Sequence, residues 1–175
     1  MQIVKPYAKM LGIGSRDEGI ELLRLVEWIG CISHRSEEAQ TEDSWERFIT
    51  SVVLGHGDWS ITEYASVTVD AVVDRGITHE WVRHRIGAYT QESTWFNNLE
   101  KGGLLRGVIP FTRIFVTYSL RMWRHLFLMR TTKESHPQMR EVTISLLEEF
   151  KAKIPLLYDD IEPLAKQSDN LRKAQ

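Results

Sequence analysis

The chain has 175 residues, 42% of them hydrophobic and 26% charged, with 22 Lys and Arg against 24 Asp and Glu for a formal charge of −2. These values fit a single folded domain spanning 1–175 and argue against a nucleic-acid coat or a polybasic membrane-surface protein. The one cysteine, Cys31, excludes an intrachain disulfide and a cysteine-rich zinc cage. Residues 1–14 lack the apolar run of a secretory leader, and no stretch is apolar enough to span a bilayer. A soluble protein of a reducing compartment, the cytoplasm, is expected.

In chain order, Ser15 and Glu18 have the spacing of a capping box. They open a predicted helix with Leu22, Leu23, Val26 and Ile29 on one face and Gly30 as its stop. A second helix is predicted over 42–54, with Trp45, Phe48, Ile49, Val52 and Val53 as its stripe and Gly55 at its end. The period then changes. Ala65, Val67, Val69, Ala71 and Val73 alternate with Ser66, Thr68, Asp70 and Val72, which reads as a strand with one buried face. Asp74-Arg75-Gly76 supplies a turn, and Thr78 caps a short helix through Arg83 that Gly87 ends. Residues 97–103 read as a loop. Tyr118, Met122, Leu126 and Met129 predict a helix over 117–130. Pro137 opens another, with Met139, Val142, Leu146 and Phe150 inward. A polar tail over 168–175 is expected to fray. Helices around at least one antiparallel strand region give an α+β fold class.

The densest chemistry lies in 81–96. Arg83-His84-Arg85 stands between an apolar pair and a glycine-containing stretch, and the residues that follow are small, hydroxylic and amide-bearing. Guanidinium forks with hydroxyls and backbone amides nearby form an anion site. Arg106 and Arg130 lie beside apolar segments, where an unpaired guanidinium is costly. The bland reading is a solvated basic face.

Arg83-His84-Arg85 followed by Gln91-Glu92-Ser93-Thr94 resembles the RHRxxSxxxxSxR signature of flavin-dependent thymidylate synthases, the ThyX type. Upstream, Cys31-Ile32-Ser33-His34-Arg35-Ser36 and the stretch from Gly55-His56 to Glu63 resemble that family's two flavin-side segments. Downstream, Arg106-Gly107-Val108-Ile109-Pro110, the stretch from Ser119-Leu120-Arg121 through His125 to Arg130, and His136-Pro137-Gln138-Met139-Arg140-Glu141 resemble later elements in the same order. The resemblance covers residues 28–162.

It implies a twisted antiparallel sheet flanked by helices, in a homotetramer that holds FAD where subunits meet. It also implies reductive methylation at C5 of a uridine monophosphate, dUMP to dTMP, with methylenetetrahydrofolate as carbon donor and NADPH as reductant. By position, Arg83, His84, Arg85 and Ile86 contact flavin or nucleotide. Ser33, Ser60, Gln91, Ser119, Arg121 and His125 belong to the flavin side. Gln91, Glu92, Ser93, Thr94 and Trp95 cradle the nucleotide, with Glu80 and Arg106 near it. Arg130 and Ser93 are the expected catalytic residues, Arg130 contacting the uracil and favouring loss of its N3 proton. The chemistry is coherent, because a fixed guanidinium stabilises negative charge on the ring and a hydride must come from a cofactor. A cysteine nucleophile is the other route to C5 activation, and Cys31 reads better as a packing residue.

The sequence departs from the family pattern at Ala88, Trp95, Ser119 and Asp58, and it is short between Trp95 and Arg106. A reshaped nucleotide pocket leaves three readings: a dUMP methylase, a UMP-specific methylase of specialised (antibiotic) nucleoside biosynthesis, and a catalytically silent flavin- or nucleotide-binding homologue. No metal is expected, since His79 and His84 do not share a helical face and no ligand set closes. Trp59, Trp81 and Trp123 read as packing or interface residues. Asp43 and Glu63 read as cap or structural carboxylates, and the Glu148-Glu149 and Asp159-Asp160 pairs as solvated faces.

Overall fold

The computed structural model describes residues 2–3, 5–33, 35–93, 104–106, 109–131 and 135–163. The capping box forms: Ser15 accepts from the Glu18 amide, Glu18 accepts from the Ser15 amide, and helix α1 runs over Arg16–Ile32. It continues past Gly30, because that glycine is a packing contact and not a stop. A Cβ there would lie 2.3 Å from Cζ of Phe48. The second predicted helix divides into α2 (Ser44–Phe48) and a wider π-helical segment, Ile49–His56. It ends at Gly57, whose φ of 83° is the left-handed conformation that glycine adopts without a Cβ penalty. A 3₁₀ turn, Trp59–Tyr64, leads into the sheet.

Strands β1 (Gln2–Ile3), β2 (Tyr7–Leu11), β3 (Ser66–Asp74), β4 (Ala88–Gln91), β5 (Leu104–Arg106) and β6 (Ile109–Ser119) form one sheet in the order β1-β5-β6-β3-β2. All pairs are antiparallel except β1 with β5. Strand β6 is the organiser. One edge pairs with β3 along its whole length, from Ser66 opposite Ser119 to Asp74 opposite Phe111. Its other edge takes β5 near the start and β4 near the end, with Ala88 opposite Thr117 and Gln91 opposite Ile114.

Two sequence expectations change here. Asp74-Arg75-Gly76 is a helix start rather than a turn: Asp74 caps helix α3 (Arg75–Val82) by accepting from the Gly76 amide at 2.7 Å. Thr78 lies inside that helix, and the helix ends before Arg83. The segment predicted as a helix over 117–130 begins as strand, and helix α4 occupies only Leu120–Arg130. Tyr118 is therefore a strand residue. Helix α5 (Pro137–Lys153) starts at its proline and turns Met139, Val142, Leu146 and Phe150 inward as predicted.

The five α-helices among the described residues share one core with the inward residues of the sheet, among them Val67, Val69, Ala71, Ile114 and Val116. Its centre is aromatic. Trp123 lies 4.9 Å from Tyr118 and 5.4 Å from Phe150, and Phe127 lies 5.0 Å from Phe150. Such tilted pairs add to what area burial alone provides. Trp81 and Trp123 are buried packing residues. Two clusters read as solvated are tied into the fold. Glu149 accepts from the Met10 amide at 3.0 Å, and Asp160 holds Arg124 through two bonds of 2.7 and 2.6 Å. The described helices include none long and apolar enough to cross a membrane.

Candidate functional site

The end of β6 and the start of α4 set the site. Ser119 leaves the strand and caps α4, accepting from the Met122 amide at 3.3 Å. The first turns of α4 then present Arg121, Met122, His125 and Leu128 to a cavity of about 620 Å³. Gly57 and Trp59 close another side, and Ile86 faces it from the Arg-His-Arg turn. Ile86 is 80% exposed, an unusual setting for a branched apolar side chain beside three cationic or titratable groups. Arg124 forms part of the wall, stacked 4.5 Å over the Trp59 ring and held by Asp160 and the Leu157 carbonyl. Trp59 is thus a cavity wall as well as a packing residue.

A second cavity of about 610 Å³ lies alongside, lined by Ile29, Gly30, Ser33, Ser60, Ile61, Glu63 and Tyr64. Ser33 donates to the Gly30 carbonyl at 2.9 Å at the end of α1. Glu63 lines both cavities and pairs with Arg121 at 2.6 Å. It is the residue that sequence reading set aside as structural. Its partner is 58 residues away, so no local pattern reveals the pairing.

The charged groups gather at the ends of α3 and α4. Glu80 pairs with Arg83 at 3.3 Å and with Arg130 at 3.8 Å, so one carboxylate lies between the two guanidiniums. His84 follows directly. Burial, then the charges of Arg130 and His125, push its pKa below the usual histidine value, and Glu80 opposes them only in part. His125 is pushed down in the same way, by burial and then by Arg121. Both rings therefore favour the neutral form, able to donate at one nitrogen and accept at the other. His84 Nδ1 and Gln91 Oε1 are buried and have no hydrogen-bond partner among the described residues. Buried polar atoms are rarely left so, and a ligand is one remedy.

Arg85 is exposed at the same turn and has no ion pair among the described residues. Gln91 ends β4, and the Glu92 amide donates to the Arg113 carbonyl at 2.9 Å, which places Ser93 just past the β4–β6 edge. Thr94, Trp95, the loop at 97–103 and the tail from Ser168 lie outside the described residues. Arg106 is in β5, where only its backbone is described. The fold thus brings Glu80, Arg83, His84 and Arg130 together. It groups Ile86, Ser119, Arg121 and His125 around one cavity and Ser33 and Ser60 around the adjoining one.

The family described as thymidylate synthase complementing protein matches residues 21–111. The flavin-dependent thymidylate synthase of Pyrococcus furiosus is 29% identical over 196 residues, covering 85% of this chain and 78% of that protein. That of Saccharolobus solfataricus is 39% identical over 61 residues, 34% of this chain and 23% of that protein. Among solved structures, Helicobacter pylori ThyX complexed with FAD and dUMP superposes with a TM-score of 0.69 at 11% identity, covering 93% of this chain and 100% of that one. The UMP/dUMP methylase PolB of Streptomyces cacaoi, bound with 5-Br dUMP, gives 0.68 at 12%, covering 91% and 96%. At these identities the structural likeness establishes the α+β fold. The family match spans more than half of the chain, and the chain belongs to the thymidylate synthase complementing protein family, the ThyX-type flavin-dependent thymidylate synthases.

Proposed function

We propose that this protein catalyses flavin-dependent reductive methylation of a uridine monophosphate at C5, converting dUMP to dTMP. Methylenetetrahydrofolate is the carbon donor and NADPH the reductant, in a cytoplasmic homotetramer with FAD between subunits. The observation that carries the reading is convergence. Three segments far apart in sequence, Gly57–Glu63, Ile86 and Ser119–Leu128, line one cavity next to a cluster of arginines.

The residues present fit a flavin. An exposed Ile86 offers apolar contact to a ring, and the unpaired His84 Nδ1 and Gln91 Oε1 await polar partners. A cavity of mixed lining with a few polar groups suits a cofactor. Ser33, Ser60, Arg83, His84, Arg85, Ile86, Gln91, Ser119, Arg121 and His125 are the residues assigned to hold it. When bound, FAD supplies the hydride that no side chain can provide.

The chain's own residues do the rest. Arg83 and Arg85, with Ser93, bind the nucleotide phosphate, and Glu92, Thr94, Trp95 and Arg106 complete that pocket. Glu80 lies within ion-pair distance of both Arg83 and Arg130 and draws the two guanidiniums toward one place. Arg130 faces the uracil and stabilises the negative charge that makes C5 nucleophilic.

Ala88 stands where the family signature has its first serine, and it leaves room near the sugar. UMP is accordingly the second substrate to try, and the fold neighbour PolB is a UMP/dUMP methylase. The test is incubation with FAD, NADPH and methylenetetrahydrofolate, and either dUMP or UMP. Formation of dTMP from dUMP supports the reading. A preference for UMP above about tenfold, roughly 1.4 kcal/mol of transition-state binding, replaces dUMP with UMP. No product from either nucleotide contradicts catalysis.

A further inference from the structure

The Arg-His-Arg segment is not part of a regular element. Helix α3 ends at Val82 and β4 begins at Ala88, so the residues between them need something else to hold their shape. Among the described residues, backbone bonds brace them from the Arg83 amide to the Trp81 carbonyl, from the His84 amide to the same carbonyl at 2.9 Å, and from the Gly87 amide to the His84 carbonyl at 3.3 Å. Two phenols supply more. Tyr89 on β4 donates its hydroxyl proton to the His84 carbonyl. Its oxygen lies 2.5 Å from the hydroxyl of Tyr118, on the neighbouring strand β6. Since the Tyr89 proton is committed to His84, Tyr118 is the donor in that contact, and the order runs Tyr118, Tyr89, His84 carbonyl. Tyr118 also comes within 3.4 Å of the Trp81 carbonyl, at the other end of the turn.

The rings reinforce this chain. Tyr89 and Tyr118 meet edge to face at 5.8 Å, and the His84 ring lies 6.4 Å from that of Tyr118. Gly87 lets the turn settle on the phenol: a Cβ there would be 2.3 Å from Cε1 of Tyr118. Burial raises the pKa of both phenols, so each keeps its proton and remains a donor.

We propose that Tyr118 and Tyr89 form a directed hydroxyl relay that fixes the backbone of Arg83-His84-Arg85 against the sheet. They are positioning residues, acting on a ligand only through the side chains of that turn. The ligand-binding half of this statement rests on the flavin reading above, and the backbone half does not.

The test uses the full chain, as parent, Tyr89→Phe and Tyr118→Phe. Hydrogen exchange at the His84 and Gly87 amides reports the turn, and the β3–β6 amides report the sheet. Losing the bond to the His84 carbonyl should speed exchange at the turn by about tenfold in Tyr89→Phe. Tyr118→Phe keeps that bond and should give a smaller increase, about threefold. Sheet amides should be unchanged in both. Titration with FAD, followed by its visible absorption, should show about tenfold weaker binding and an altered band shape in Tyr89→Phe.

Equal exchange at the turn in parent and Tyr89→Phe overturns the relay, as does a uniform acceleration that includes the sheet. Faster exchange with unchanged FAD affinity and spectrum overturns the positioning role. A parent that takes up no FAD contradicts the flavin reading alone, and the exchange comparison still decides the relay. If Tyr89→Phe does not fold, Tyr118→Phe decides by the same amides.

Discussion

The aromatic core beneath α4 and α5 and the margin around the Arg-His-Arg turn are built by opposite rules. In the core, buried polar groups find partners within the chain. Trp123 Nε1 donates to the Val67 carbonyl at 3.0 Å, the Tyr158 hydroxyl to the Leu120 carbonyl at 3.0 Å, and Arg124 to both Asp160 oxygens. Of the three buried side-chain atoms without a partner among the described residues, His84 Nδ1 and Gln91 Oε1 belong to the margin, and Trp81 Nε1 lies in the core cluster beneath it. The margin also exposes Ile86. A self-satisfied region contributes stability, whereas a region with unmet polar atoms beside a cavity is arranged for something else to complete it.

That division has measurable consequences, and the largest should come from the core. Trp123→Ala should remove about 3–5 kcal/mol of unfolding free energy in a denaturant titration, by cavity formation and a lost hydrogen bond. A loss under about 1 kcal/mol would show that the aromatic cluster is not what holds the fold. Next is the site. Arg130→Ala should leave stability within about 1 kcal/mol of the parent yet lower kcat by about 10²–10³, the scale for losing one preorganised donor to developing charge. Turnover equal to the parent would contradict its role at the uracil.

Asp160→Ala tests the border between the regions. Arg124 is only 8% exposed, and its loss of a bidentate partner leaves a guanidinium with the Leu157 carbonyl and the Trp59 face. Because Asp160 itself is half exposed, the full cost of a buried pair is not expected, and about 1–2 kcal/mol is. The same variant should loosen the cavity wall at Trp59, which cofactor affinity would register. Unchanged stability would place Arg124 outside the core's set of satisfied groups.

The smallest effect is one of pH. Both His84 and His125 have folded-state pKa values below the ordinary 6.5. The unfolded chain therefore binds protons more readily, and stability falls as pH drops through 6.5 toward those lowered values. Tm should decrease between about pH 7 and about pH 5, and His84→Gln with His125→Gln should flatten that slope. A slope identical in the double variant would show that the two rings are not the groups responsible.

How much of this was legible depended on distance along the chain. The α1 cap and the inward stripe of α5 are local signals, and both appear as read; β3 forms as a strand, but Asp70 and Val72, read as its outer face, are buried as well. Tyr118 was misassigned because its spacing to Met122 matches a helical turn by coincidence, across a strand-to-helix boundary that Ser119 caps. Strand β4 carried no signal, since Ala88 and Thr90 are exposed and periodicity there is weak. Glu149 and Asp160 were read as solvated because their partners, Met10 and Arg124, lie 139 and 36 residues away. Glu63 was missed for the same reason. Motif resemblance reached the arginines and histidines of the site, while the carboxylates and phenols that arrange them became visible only with the fold.

The central claim is that the margin is completed by a flavin. Titration of the purified chain with FAD, followed by visible absorbance and by flavin fluorescence, tests it most directly. The account predicts saturable uptake at micromolar or tighter affinity, about −8 kcal/mol or better, weakened in His84→Ala and Gln91→Ala but not in a distant surface variant such as Glu46→Ala. A folded, colourless protein that takes up no FAD would contradict it.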